Sequence, residues 1–237
     1  MTGVGGREDH RTSLRALPRA AWMPYLRRNS GLPGPRANLE LAQAVADEGD
    51  ETMFETLLSS DEEYLVMCGA IGLGRSLVDG ASTESQVRLR SLAADRRWRV
   101  REGVAMALQR LGDADTTGLH DLVSRWAASP DPLVQRAAVA GLCEPRLLRE
   151  PADAARAVEL CSRITDSLAA RPPHERRTDD VRALRKTLGY CWSVAVAADP
   201  PHGLPRFLAL SQSGDPDVVW IVRENAKKAR LKAVLPD

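Results

Sequence analysis

The amino-acid sequence predicts an all-α protein, a solenoid of about five helical hairpins, and three observations carry that reading. From Asn38 onward apolar residues recur at helical spacing, in stretches of about 10–18 residues separated by short breaks rich in Gly, Pro or Asp. No segment alternates apolar and polar residues between hairpin turns, so strands are not needed to account for the chain. A degenerate internal repeat runs through most of the 237 residues. One helical hairpin cannot bury its apolar face alone, whereas stacked hairpins can.

Taken in order, residues 1–18 are polar and broken by Gly and Pro, and read as a mobile leader. The rest, residues 19–237, reads as a single repeat domain. Trp22 and Tyr25 belong to a helix that caps the first hairpin, and Asn29 to Pro35 (NSGLPGP) forms a rigid turn. Asn38 is an N-cap, followed by Leu39, Leu41, Ala42 and Val45 on one helical face. Further breaks fall at Asp79-Gly80, Gly112-Asp113, Ser129-Pro130-Asp131, Asp199-Pro200-Pro201 and Gly214-Asp215-Pro216. The longest, Arg171 to Asp180 (RPPHERRTDD), reads as a surface loop rather than a domain linker.

The repeat is anchored at Val66, Val100, Val134, Leu184 and Val222, spaced 34, 34, 50 and 38 residues apart. Small or apolar residues recur four and five positions after the anchors, and an Asp-rich turn precedes several copies. Ala105, Ala138 and Ala226 therefore stand where facing helices should meet. A turn, a Val anchor and inward-facing small residues resemble a HEAT repeat. The resemblance covers roughly residues 37–235 and implies a HEAT-like α-α superhelix with a curved binding surface.

Composition excludes several classes. The net charge is +1, which excludes both an acidic solvating chain and a strongly basic nucleic-acid coat. The charge is unevenly spread, however. Between Ala37 and Gly74 stand nine acidic residues and no Lys or Arg, leaving about +10 on the remainder. Arg96, Arg97, Arg99 and Arg101 crowd one window, and Lys227, Lys228, Arg230 and Lys232 crowd the last helix. The sharper expectation from these clusters is a surface that faces a polyanion. No apolar run is long enough to span a membrane or to serve as a signal peptide. Cys68, Cys143, Cys161 and Cys191 are widely separated in apolar contexts, and read as reduced core thiols of a cytoplasmic protein. His10, His120, His174 and His202 read as turn or leader residues without ligand spacing, so neither a metal nor a cofactor is expected.

One constellation carries possible chemistry. Trp98 and Glu102 are one helical turn apart, so an indole and a carboxylate share a face. Arg136 follows in a Gln-Arg-Ala-Ala stretch, and Tyr190 and Trp192 follow later. These stretches resemble the AlkD-type HEAT-like DNA glycosylases, which remove alkylated purines. The resemblance implies an aromatic cradle of Trp98 and Tyr190, with Trp192 close by. It implies that Glu102 stabilises charge on the deoxyribose and that Arg136 holds a phosphate. Glu102 stands where the family has Asp, and Tyr190 where it has Trp. The pattern Trp-x-Val-Arg-Glu also occurs twice, at Trp98 to Glu102 and at Trp220 to Glu224, which reads as repeat consensus.

The leading expectation is therefore a non-enzymatic, monomeric binding or scaffold protein whose curved face holds a protein or polyanionic partner. The alternative is an alkylpurine DNA glycosylase acting on duplex DNA, with Arg97, Arg101, Arg136, Arg185 and Arg223 lining its groove.

Overall fold

The computed structural model describes residues 6–80 and 83–235, and every regular element among them is helical. The chain divides into two compact units, residues 1–114 and 115–237, where the sequence predicts one repeat domain from residue 19.

The first unit contains α1 (Arg7–Ala16), α2 (Trp22–Asn29), α3 (Leu39–Glu48), α4 (Glu51–Leu58), α5 (Glu63–Gly80), α6 (Thr83–Ala93) and α7 (Trp98–Ala114). Helix α5 is its axis and packs against α2, α3, α4, α6 and α7. It is buried continuously from Tyr64 to Gly74, so it needs small residues wherever a neighbour comes close. A Cβ at Gly74 would lie 2.7 Å from the Cα of Ala107, and one at Gly103 would lie 2.9 Å from the carbonyl oxygen of Met67. The backbones of α5 and α7 thus meet where side chains are missing.

Residues 7–16, assigned by their composition to a mobile leader, form α1 instead. Arg7, Arg11 and Arg15 recur every four residues along one stripe, and they meet the acids at the C-terminal end of α3. Arg7 pairs with Asp47 at 2.7 Å, and Arg11 and Arg15 pair with Glu48 at the same distance. Arg110 of α7 also reaches Asp47, at 2.8 Å. Two carboxylates at a helix C-terminus oppose the helix dipole, and these guanidiniums offset that. They hold the carboxyl of Glu48 below its ordinary range, and that of Asp47 too, although burial alone would raise it.

His10 and His120 are buried on helices, not placed in turns or a leader. Nδ1 of His10 lies 2.9 Å from the Tyr25 hydroxyl, and Nε2 lies 3.1 Å from Nδ2 of Asn38. Asn38 caps α3 as predicted, its Oδ1 accepting from the backbone N–H of Leu41, so its amide nitrogen must face His10. Nε2 is therefore an acceptor and the neutral ring carries its proton on Nδ1. Burial pushes the pKa of His10 down.

The second unit contains α8 (Thr116–Ala127), α9 (Pro132–Leu142), α10 (Pro151–Ala169), α11 (Asp179–Ala198), α12 (Pro200–Leu210), α13 (Pro216–Ala226) and α14 (Ala229–Lys232). Its axis is α11, which packs against α9, α10, α12, α13 and α14. Two turns repeat one device. The Ser129 hydroxyl accepts from the N–H of Asp131, which caps α9 ahead of Pro132. The Ser213 hydroxyl accepts from the N–H of Asp215, which caps α13 ahead of Pro216. Proline at the first helical position loses no hydrogen bond.

This shared turn corrects the last repeat. Val134 and Val218 both stand three residues after the capping Asp and both are buried, whereas the predicted anchor Val222 is half-exposed. The Trp-x-Val-Arg-Glu pattern is displaced likewise. Trp98 opens α7, but Trp220 is the fifth residue of α13, so the two copies occupy different places in their helices. Ala105 and Ala138 are buried as predicted, while Ala226 is half-exposed. Gly112-Asp113 does not break the chain, because α7 runs on to Ala114 and Asp115 caps the next helix. The surface segment from Arg171 to Asp180 contains a short 3-10 turn, Glu175–Arg177. All four cysteines are buried and unbridged.

Two measurements check this packing. Gly74→Ala should lower stability by roughly 1–3 kcal/mol through overpacking, despite alanine's advantage of about 1 kcal/mol in a helix interior. An unchanged denaturation midpoint would contradict so close an approach. The His10 ring, followed by NMR, should titrate below the ordinary value near 6.5. Its contribution to stability is complete above that value and is lost as pH falls through the lowered folded value. A midpoint at or above 6.5 would contradict the burial of a neutral ring at this position.

Candidate functional site

The residues singled out in the sequence fall into two groups. Arg97, Trp98, Arg101 and Glu102 belong to the first unit, and Arg136, Arg185, Tyr190, Trp192 and Arg223 belong to the second.

In the first group, Trp98 is 52% exposed at the start of α7, rather than packed between hairpins, and half-buried Glu102 follows one turn later. The surrounding arginines are engaged within the protein. Arg97 pairs with Asp95 at 2.7 Å and also donates to the carbonyl of Asp61. Its guanidinium holds the Asp95 carboxyl below the usual range. Arg99 pairs with Glu63 at 2.9 Å and lies 5.2 Å from the centre of the Trp98 ring. Arg101 donates to the carbonyls of Asp95 and Arg96, closing the turn that leads into α7. The basic window predicted as a phosphate-facing cluster thus secures a turn.

In the second group, Trp192 is fully buried and its indole N–H donates to the Thr165 hydroxyl at 3.0 Å. It belongs to the core and cannot enclose a ligand at the surface. Trp192 therefore does not stand beside Tyr190 as the sequence predicts: the two are only two positions apart, but that step turns a helical side chain about 200° around the axis. Arg136 is half-buried on α9.

Tyr190 and Arg185 meet side chains of α13 and of the last basic run. Tyr190 is 42% exposed on α11. Arg230 stacks over its ring at 4.9 Å and donates to its hydroxyl at 3.1 Å, and the Lys228 ammonium lies 5.9 Å from the ring centre. Beside it, Trp220 of α13 lies on α11 at Gly189, where a Cβ would come within 2.8 Å of the indole. Arg185 covers the Trp220 ring at 4.7 Å and is held there by Asp217 at 2.5 Å. Buried Asn225 locks α13 to α11. Its amide donates to the carbonyl of Leu188, and its side-chain oxygen accepts from the N–H of Ser193. Two aromatic rings, each against a guanidinium, therefore stand at adjacent positions of α11, Trp220 over Gly189 and Tyr190 next to it. Lys186 stands one turn before Tyr190 and Arg223 three residues after Trp220. Both are exposed and make no ion pair with the described residues, whereas Lys227 pairs with Glu224.

The basic run at Lys227 to Lys232 was visible in the sequence, but its meeting with Tyr190 was not. No local pattern links residues 40 positions apart. Among the described residues no group of three or more His, Cys, Asp or Glu could hold a metal, and no helix is long and apolar enough to cross a membrane. Set against known proteins, the chain matches no family model, and no curated protein matches it.

The two tryptophans predicted to lie near a lesion should behave oppositely on truncation. Trp192→Ala should cost about 3–5 kcal/mol of stability, while Trp98→Ala should leave the denaturation midpoint nearly unchanged. Equal effects would contradict their placement.

Proposed function

We propose that this protein is a non-enzymatic binding protein, built on HEAT-like helical hairpins, that holds a polyanionic partner. The observation that carries this reading is the face of the second unit where Tyr190 and Trp220 stand with Lys186, Arg223, Lys228 and Arg230, beside Arg185, which Asp217 pairs. Cations that the protein does not neutralise attract a polyanion over distances near the Debye length. Aromatic rings beside them add contact area and direction.

One observation favours the second reading, an alkylpurine DNA glycosylase. Trp98 is exposed one turn before Glu102, and its pattern is not a consensus shared in register with Trp220. In that reading Glu102 stabilises an oxocarbenium-like transition state and Trp98 lies against the base. Against it, Arg97 and Arg101 are engaged internally and Trp192 is a core residue.

Binding to heparin across a salt series, together with base release from alkylated duplex DNA, separates the two. The binding reading predicts affinity that falls steeply with salt and no base released. Release that drops by about 10²–10³ in Glu102→Gln, as loss of an electrostatic catalytic group does, would establish the glycosylase instead.

A further inference from the structure

The face around Tyr190 offers more than charge. We infer that it takes single-stranded nucleic acid, with bases stacking on Tyr190 and Trp220 and phosphates held by the neighbouring cations. The inference rests on the polyanion reading above and narrows it to one class of partner.

Three features point this way. The first is the alternation of rings and cations: Arg185 on Trp220, then Tyr190 with Lys228 and Arg230, with Lys186 and Arg223 exposed beside them. A flexible strand presents phosphates and planar bases in the same alternation, and base–aromatic stacking tolerates any sequence because every base has a π-face. The second is the state of the rings. Tyr190 is 42% exposed even though its hydroxyl and one flank are engaged by Arg230, and Trp220 remains half-exposed. The guanidiniums fix the rings in place, so less side-chain freedom is lost on binding.

The third feature is the support beneath. Gly189 lets the indole of Trp220 rest on the α11 backbone, and Asn225 bonds α13 to α11 at Leu188 and Ser193. Both rings are thereby referred to the same stretch of one helix. Duplex DNA keeps its bases within the stack and would use only the cations. An acidic peptide carries charge but has no run of planar rings to place on two aromatic side chains.

Fluorescence anisotropy on the full chain tests this with three probes: a labelled single strand of about 12 nucleotides, the duplex made from it, and heparin as a competitor without bases. The single strand should bind at least about tenfold more tightly than the duplex. Tyr190→Leu keeps apolar bulk but removes the ring, and should weaken single-strand binding roughly five- to a hundredfold while leaving heparin binding unchanged. Tyr190→Phe should retain binding within about threefold, because the ring and not the hydroxyl does the stacking. Lys186→Gln and Arg223→Gln should weaken both ligands and flatten the salt dependence by about one contact each. Duplex binding equal to or tighter than single-strand binding, or a Tyr190→Leu variant that folds and binds the single strand like wild type, would overturn the inference. Heparin binding with no preference for the single strand would overturn it and leave the polyanion reading standing. No binding of any probe would remove both.

Discussion

A long helix can be buried on every side only if its own residues are small enough for its neighbours to reach the backbone. That constraint governs the whole middle of α5 and, in the second unit, the inner stretch of α11. In the first, α5 carries Gly69, Gly72 and Gly74 through its buried length, and Gly103 of α7 answers from the other side. In the second, α11 carries Gly189, Cys191, Ser193 and Ala195 along its buried stretch. The same requirement shapes the candidate site, because the missing side chain at Gly189 is what admits the Trp220 ring beside Tyr190. Packing and the candidate site here depend on one choice of residue.

Charge is arranged around these axes in two ways. Most arginines of the first unit are held by its own carboxylates and carbonyls: Arg7, Arg11 and Arg15 at the end of α3, and Arg97, Arg99 and Arg101 around the entry to α7. Six acids of the segment from Ala37 to Gly74, namely Asp47, Glu48, Asp50, Glu55, Glu62 and Glu63, find arginine partners within the unit. Exposed pairs of this kind contribute little individually, but they occupy the cations for other purposes. In the second unit Lys186 and Arg223 remain exposed beside two aromatic rings, so its basic surface can serve a partner.

The sequence made the helices, most of their breaks and the small-residue interfaces legible, since these depend on local spacing and on caps such as Asn38 and Asp131. Where it misled, long-range contact decided. Residues 7–16 are polar by composition, yet Leu14 is buried in the core of the first unit and the arginine stripe meets Asp47 and Glu48, some forty residues away. Val222 matched the anchor pattern, but the Ser213-Asp215 cap sets the register four residues earlier, at Val218. Trp192 carried the right chemistry on the wrong side of α11. The last basic run signalled a charged surface, yet nothing local tied it to Tyr190.

The proposed binding surface is the α11–α13–α14 face, and not the Trp98–Glu102 segment. Hydrogen exchange of the full chain, with and without a saturating single-stranded oligonucleotide, tests it most directly. Binding there should slow exchange along α13 and α14 and at the Arg185 to Tyr190 stretch of α11, leaving the Asp95 to Glu102 amides unchanged. Protection confined to the amides around Trp98 and Glu102, or no protection at all, would contradict the account.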